Sequence, residues 1–408
     1  MGLVVCKFGG TSVGSFERMK AVAERIIDIK NEGNEVVAVV SAMGKLTDEL
    51  LRDAGEIARN NDRRELDFLM ATGEQQSAAY MAMTLQSLGE KAVSLTCFQA
   101  GIHCEGSYSY ARLTGIDPTR IKSELAAGKI VIVAGFQAIM PNGDVATLGR
   151  GGSDTTAIAI AAALGADLCK IFTDVDGIYT MDPRKITEAA KLNEISYDNM
   201  LELASLGAQV MQPRAVECAM QNDVDFEVLS SFERKKGTLV TNKNRLEGVR
   251  RISGVSHDFN VAKLVIFDVP DRPGMAKQVF SDLAAADIPI DMVIQSAVRG
   301  MHNDIAFTVS EDILDVTLPI VNELVDKLGA SGMTYGKDVA KVSVVGAGIK
   351  SNPTVLSAAF EAISDANINI EMISTSEIKI SFIVASGDAK AAVKALFDKF
   401  DLDKEEAE

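Results

Sequence analysis

Two short segments place glycines beside charge: Lys7-Phe-Gly-Gly-Thr-Ser12 and Gly149-Arg-Gly-Gly-Ser-Asp-Thr-Thr156. Consecutive glycines let backbone N–H groups approach a phosphate closely, and a helix beginning there adds partial positive charge. The first segment lacks the GxxxxGK[ST] spacing of a P-loop and the GxGxxG of a dinucleotide fold, and its lysine precedes the glycines. A tight strand-to-helix turn capped by Thr11 or Ser12 would use the same residues. The second segment repeats the pattern and adds Arg150, whose planar fork suits a carboxylate. Two anion-binding turns in one domain suggest two anionic ligands that meet. Asp154 would orient Lys7 or a metal, or else serve as an acid in the first turn of a helix.

Two further segments carry polar groups in turn-rich surroundings. Thr173-Asp-Val-Asp-Gly-Ile-Tyr-Thr-Met-Asp-Pro-Arg184 offers acids, Tyr179 and Arg184 to a nucleotide, or forms a loop of Asx turns. In Ala71-Thr-Gly-Glu-Gln75, Gly73 interrupts a helical pattern and leaves Glu74 near a helix start, where it would bind an ammonium group or cap the helix.

The elements that must hold these segments alternate. Strands are expected at Leu3–Phe8, Val36–Ser41, Lys91–Leu95, Ile130–Gly135, Leu168–Thr173 and Phe226–Leu229. Helices are expected at Phe16–Asn31, Asp48–Asn60, Glu65–Leu88, Thr155–Leu164, Asn199–Leu206 and Pro213–Asn222. Such alternation implies an α/β domain with a mostly parallel sheet covered on both faces. It spans residues 1–245, and a polar stretch at 246–262 reads as a linker. An internal repeat follows. Pro273 pairs with Pro353 and Ile290 with Ile370 at a spacing of 80, while Ile305-Ala-Phe307 pairs with Ile380-Ser-Phe382 at 75. Each copy, 263–338 and 339–408, reads β-α-β-β-α-β, a ferredoxin-like unit. The acidic tail Asp401–Glu408 is expected to be solvated.

Composition removes other functions. The 408 residues hold 41 Lys+Arg against 57 Asp+Glu, a formal net charge of −16, which argues against nucleic acid or an anionic membrane as partner. No apolar run reaches the ~18–20 residues of a membrane span, and no basic leader precedes the first strand, so the protein is expected to be cytoplasmic. Five scattered cysteines without a CxxC pair fit reduced, buried thiols. With three histidines far apart, neither a histidine-based metal site nor a Ser-His-Asp triad is expected.

The motifs KFGGTS at 7–12, ATGEQ at 71–75, GRGGSDTT at 149–156 and FTDVDGIYTMDPR at 172–184 resemble those of the aspartate kinases in the amino-acid kinase superfamily. VPDRPG at 269–274 and ISTSEIKIS at 373–381 resemble their paired ACT regulatory domains. The resemblance implies a three-layer αβα sandwich with a mostly parallel sheet, followed by two ACT units. It implies transfer of the ATP γ-phosphoryl to the side-chain carboxylate of L-aspartate, with Mg2+ bound alongside ATP and no protein metal site. Lys7 and Asp154 would be catalytic. Lys7, Phe8, Gly9, Gly10, Thr173, Asp174, Tyr179 and Arg184 would hold ATP, with Gly237 and Thr238 at its border. Ser41, Thr47, Glu74, Arg150, Ser153 and Asp154 would hold aspartate, Glu74 its ammonium and Arg150 its α-carboxylate. The nucleophile is a carboxylate already ionised at pH 7, so a histidine-poor chain needs no general base.

For the regulatory units the resemblance implies lysine, threonine or both as effectors. They would contact Asp271, Pro273, Gly274, Met275, Ala276, Asp291 and Gln295 in the first copy. In the second copy they would contact Val355, Leu356, Asn369, Ile370, Ser376 and Glu377. Assembly would run through ACT–ACT pairing, as a homo-oligomer or as an α2β2 complex with an internally initiated small subunit. No Met lies between Met220 and Met275, so such a start would need a non-AUG codon. The alternatives are a related kinase for another substrate and an amino-acid sensor with a decayed kinase domain. One departure from the pattern is Gln209, where many relatives carry a lysine near the phosphates, with Arg214 as a compensating cation. Gln209→Lys is therefore expected to change the ATP KM more than the aspartate KM in steady-state assays. Equal or absent effects would remove Gln209 from the nucleotide site.

Overall fold

The computed structural model describes residues 2–206, 210–242, 252–297, 300–347, 349 and 352–404. Two compact units emerge. One comprises Met1–Tyr179, Lys191–Val249 and Glu405–Glu408, the other Thr180–Ala190 and Arg250–Lys404.

In the first unit β-branched runs make the central strands, and short turns feed them into helices. β1 (Gly2–Phe8), α1 (Phe16–Asn31) and β2 (Asn34–Val40) come first, then α2 (Leu46–Ile57) and α3 (Arg63–Ser87). β3 (Ala92–Leu95), α4 (Cys97–Ala100), β4 (Ile102–Glu105), β5 (Arg112–Ile116) and α5 (Thr119–Ala126) follow. Next are β6 (Ile130–Ala134), β7 (Gln137–Ile139), β8 (Val145–Thr147), α6 (Gly152–Leu164) and β9 (Leu168–Thr173). β10 (Glu194–Ser196), α7 (Tyr197–Ser205), α8 (Pro213–Asn222), β11 (Phe226–Ser230) and β12 (Thr238–Thr241) complete the unit.

Eight strands form one sheet in the order β10-β12-β11-β9-β1-β2-β6-β3, parallel except where β11 meets β12. On one face Cys6, Phe8, Ala38, Val40, Ile132 and Ala134 join the buried residues of α1 and α3. Their neighbours Val5, Val37, Val39, Val131 and Val133, which point the other way, are equally buried. Burial on both faces is what the continuous apolar runs require. A second sheet, β5-β4-β7-β8, was not expected from the sequence. Its strands are three to five residues long, and β5 alternates only between half-buried and exposed, so it carries no apolar period to read.

Two local expectations change. Helix α1 is capped by Ser15, whose hydroxyl accepts the Arg18 N–H at 3.2 Å, and not by Thr11 or Ser12. Gly73 does not interrupt a helix, because α3 runs unbroken through it. Its lack of a side chain serves packing: a Cβ there would lie 2.9 Å from the Ala42 methyl.

The second unit begins with β13 (Gly254–Asp258) and continues through β14 (Ala262–Pro270), α9 (Met275–Ala285), β15 (Val293–Gln295), β16 (His302–Val309), α10 (Leu314–Leu328) and β17 (Gly332–Gly336). β18 (Val339–Val345), α11 (Pro353–Asp365), β19 (Met372–Thr375), β20 (Lys379–Ala385) and α12 (Ala389–Lys399) form the second copy. The first copy makes the antiparallel sheet β15-β16-β14-β17 from its own strands. The second makes β13-β18-β20-β19. Its fourth strand thus comes from inside the stretch expected to be linker. β13 is short, contains Ser256 and His257, and sits beside basic sequence, which hides it from a reading by periodicity.

The two copies touch through Met292 of the first and Val339, Met372 and Ile383 of the second, together with Val261. Two ion pairs flank this contact, Lys263 with Glu371 and Lys341 with Asp291. Their partners occupy corresponding places in the repeat, so one pair mirrors the other.

The acidic tail is not wholly solvated. Leu402 is fully buried, and its carbonyl accepts the Thr180 hydroxyl at 2.7 Å and the Ala190 N–H at 3.2 Å. The Thr180 carbonyl in turn accepts the Val255 N–H at 2.9 Å. Residues 180–190 are therefore held by β13 and the chain end. All five cysteines are free, four of them buried, and burial pushes the Cys6 thiol up to about 12. No described helix is long and apolar enough to cross a membrane. A Cβ at Gly254 would lie 2.5 Å from the Thr180 carbonyl oxygen. Gly254→Ala is expected to destabilise the second unit by about 1–3 kcal/mol, read as a lower denaturation midpoint.

Candidate active site

The site of the first unit is built where β1, β2 and α6 converge. β1 ends at Phe8, and its last residues set Lys7 over the turn: a Cβ at Gly9 would lie 3.4 Å from Lys7 Nζ. The turn is tight, with Ser12 N–H donating to the Gly9 carbonyl at 2.9 Å. Gly10 is pressed against the loop after β2, since a Cβ there would meet the Ala42 carbonyl oxygen at 2.7 Å, and its own carbonyl accepts the Gly44 N–H at 2.9 Å. Phe8 itself stacks on Phe172 at 4.6 Å in the core. Only its backbone is available to a ligand.

Lys7 Nζ lies 2.7 Å from Asp154 Oδ1, both side chains being nearly buried. Asp154 stands in the first turn of α6, which begins after Gly151. Gly149 and Gly151 have φ of +75° and +72°, conformations that glycine reaches without strain. Between them Arg150 is exposed and makes no ion pair with a described residue. Ser153 is buried beside Gly135, whose missing Cβ would clash with its hydroxyl at 2.8 Å. The glycine turns, Lys7, Asp154, Ser153 and Arg150 are thus joined through the first sheet and α6.

Glu74 enters from α3. It is 3% exposed, and its Oε1 accepts the Ala42 N–H at 3.0 Å, while Oε2 is buried without a hydrogen-bond partner. Burial pushes its carboxyl up to about 7, with the Ala42 N–H opposing. An unpartnered buried carboxylate oxygen is costly unless a cation completes it. Glu74 is therefore neither at a helix start nor a solvent-facing cap. Ser41 and Thr47, both half-buried, lie on the same loop as Ala42, Thr47 in the first turn of α2, and the Ser41 N–H donates to the Phe8 carbonyl at 3.1 Å.

On the other side of Lys7, β9 delivers Thr173 and the exposed Asp174, the Thr173 hydroxyl donating to Asp174 at 3.2 Å. Tyr179 donates to Asp176 at 2.7 Å, and Lys191 stands 3.6 Å from the same carboxylate. Burial and Asp176 push the Tyr179 hydroxyl up to about 12. Burial alone would raise Asp176, but Tyr179 and Lys191 hold it below the usual range. Thr238 is fully buried and structural, since its hydroxyl accepts the Ile178 N–H at 2.8 Å and donates to the Leu192 carbonyl at 2.6 Å. Gly237 is likewise a packing glycine, whose Cβ would fall 2.2 Å from the Val228 carbonyl oxygen.

Arg184 falls in the segment grouped with the second unit, where its guanidinium meets Asp182 at 3.0 Å. Arg214 donates to the Leu148 carbonyl at 3.5 Å, ahead of the Arg150 turn. Gln209 lies outside the described residues. Sequence reasoning missed Ser231, whose hydroxyl meets that of Ser12 at 2.5 Å and donates on to the Thr173 carbonyl at 2.9 Å. This bridge ties the first glycine turn to the end of β9. The Ser230-Ser231 pair closing a strand was its one signal.

Among the expected effector residues of the second unit, Met275 and Ala276 of the first copy answer to Val355 and Leu356 of the second at the spacing of 80. Asp271, Pro273 and Gly274 are exposed in the turn before α9, where Met275 and Ala276 begin the helix. Asn303 donates to Asp271 at 3.3 Å. Val355 and Leu356 lie in the first turn of α11. Gln295 lies exposed on β15, and Asn369 and Ile370 lead into β19. Ser376 and Glu377 are exposed in the turn between β19 and β20. Asp291 lies just ahead of β15, where Lys341 engages its carboxylate.

Comparison with known proteins places these features in a family. A model of the amino acid kinase family matches residues 2–230, and an ACT domain model matches residues 342–400. The chain is 45% identical to an aspartokinase of Geobacillus stearothermophilus, covering 100% of this chain and 99% of the relative. It is similar to E. coli aspartokinase III in complex with aspartate and ADP, at 26% identity and a TM-score of 0.78, over 97% and 99% of the two chains. The same enzyme in complex with lysine and aspartate gives 26% and 0.76, over 98% and 99%.

Because the Glu74 carboxyl sits well above its usual 4.5, the folded chain disfavours its charged form. The stability this contributes is complete below about 4.5 and lost as pH rises through about 7. Glu74→Gln keeps an acceptor for Ala42 and removes the charge. Without substrate, its melting midpoint should exceed that of the parent at pH 8 and match it at pH 4.5. Parallel pH profiles would contradict the burial assigned to Glu74.

Proposed function

Since the chain belongs to the amino acid kinase family, and within it to the aspartokinases, we propose that the residues gathered around Lys7 and Glu74 are its machinery. The protein is an ATP-dependent aspartate kinase. It transfers the γ-phosphoryl of ATP to the side-chain carboxylate of L-aspartate, giving 4-phospho-L-aspartate and ADP, and so opens the biosynthetic route from aspartate toward lysine, threonine and methionine.

The observation that carries the site reading is the buried, unpartnered Oε2 of Glu74. An ammonium group completes it, and the ion pair recovers the cost of burying the acid. Arg150 takes the α-carboxylate in its planar fork. Ser41, Thr47 and Ser153 supply the remaining polar contacts to the amino acid. With both ends of the α-carbon held, the side-chain carboxylate is directed at the phosphoryl group. Its oxygen forms the new bond to phosphorus as the bond to the β–γ bridging oxygen breaks, and ADP leaves with that electron pair. Lys7, with backbone N–H groups of Gly9 and Gly10, stabilises charge on the transferred oxygens. Asp154 holds Lys7 in place through their 2.7 Å pair.

Thr173, Asp174 and Tyr179 border the nucleotide. Mg2+ enters with ATP and neutralises its phosphates. The ACT copies bind lysine, threonine or both, and inhibit by favouring one conformation over another. Oligomers form through these copies, and the protein works in the cytoplasm.

The test is ATP-dependent formation of aspartyl hydroxamate, with glutamate as control, run with and without lysine and threonine. Activity confined to aspartate and suppressed by either amino acid is expected. Lys7→Ala should lower kcat by ~10²-fold or more, as loss of one transition-state donor does. Near-normal turnover would remove Lys7 from the phosphoryl site.

A further inference from the structure

Helix α3 carries two buried acids on one face. Asp67 lies seven residues before Glu74, two turns and about 10 Å along the axis. It is fully buried, and its carboxylate is saturated. Oδ2 accepts the backbone N–H groups of Ser109 and Thr147, each at 2.7 Å. Oδ1 accepts the hydroxyls of the same residues, at 2.9 and 3.0 Å. A buried carboxylate demands such donors, so four of them are drawn to one point.

Those donors flank the Arg150 turn. Thr147 ends β8 and leads through Leu148 and Gly149 to Arg150. Ser109 is held at φ +69°, unusual for a residue with a side chain. Its carbonyl presses on the turn, since a Cβ at Gly149 would lie 3.1 Å away. Asp67 thus grips the turn from behind at Thr147 and from its flank at Ser109.

We propose that Asp67 is a positioning residue for the amino-acid substrate, setting the base of the Arg150 turn at a fixed distance from Glu74. One helix then carries the ligand of the ammonium group and, two turns away, the anchor for the ligand of the α-carboxylate. This inference rests on the roles given above to Glu74 and Arg150. Its consequence is chain-length selectivity. With the α-carbon held between two clamps of set separation, a side chain of one methylene places its carboxylate at the phosphoryl group, and a longer one overshoots.

Steady-state kinetics of the full-length enzyme test this. Asp67→Asn replaces one acceptor oxygen with an amide nitrogen that cannot accept. It should raise the aspartate KM by about 10-fold, leave the ATP KM within about 2-fold, and narrow the preference for aspartate over glutamate. Thr147→Ala removes one hydroxyl and keeps the backbone bonds, and should raise the aspartate KM by about 3-fold. A loss of folded enzyme would lower kcat and leave both KM values unchanged. Unchanged or equally raised KM values in these variants would overturn the inference, and Thr147→Ala and Ser109→Ala decide alone if Asp67→Asn does not fold. In an Arg150→Ala background, Thr147→Ala should add less than about 1.5-fold. A full effect there would also overturn it. If Arg150→Ala itself leaves the aspartate KM unchanged, the clamp reading fails and takes this inference with it. If Arg150→Ala raises the KM and the Asp67 set does not, only the inference falls.

Discussion

Two negative groups must be brought within bonding distance by a protein that itself carries −16. At 4 Å, two unit charges repel by about 1 kcal/mol in water and about 4 kcal/mol at an effective dielectric of 20. Repulsion of that size has to be met by positive charge placed locally, and the fold supplies it sparingly. Lys7, Arg150 and the N–H groups of two glycine turns stand at the ends of β1 and the start of α6. Asp154 pairs with Lys7, and in the proposed reading Glu74 brings a negative charge only where an ammonium group answers it. Net charge is thus a poor guide to what this protein binds, while the placement of single cations is a good one.

Much of the scaffold was legible because its signals are periodic. β9, α1 and α8 lie where the apolar pattern and the flanking turns put them, and the repeat showed two small α+β copies. The glycine turns were legible for another reason, since glycine pairs beside charge at strand ends have few structural uses. What stayed hidden was aperiodic. β4, β5, β7 and β8 are too short for a pattern, and β13 is a polar strand defined by its partner β18. Gly73 misled because glycine marks both helix breaks and close helix packing, and only the neighbouring Ala42 decides between them. Asp67 carried no motif at all. An acid within an apolar helix face was its only trace, and its four donors come from chain segments that sequence alone does not bring together.

The contact between the two ACT copies repeats one theme twice. Lys263 meets Glu371 and Lys341 meets Asp291, each strand lysine reaching the acid before the other copy's second strand. Lys341 is almost wholly buried, and its partner half-exposed. Such a pair contributes little net stability but penalises a slipped alignment, because a shift would strand a buried cation. Apolar contacts hold the copies together, and the ion pairs set their register.

β13 and β18 lie side by side, yet the whole first copy is threaded between them in the chain. Pairing them closes a long loop, whose entropic cost falls once the enclosed segment has collapsed into a body with neighbouring ends. The first copy is therefore placed to fold ahead of the second, and closing the β13-β18-β20-β19 sheet is the step of higher contact order. Until that step is complete, β18 presents an open edge, and a chain arrested there is exposed to strand exchange with another copy of itself.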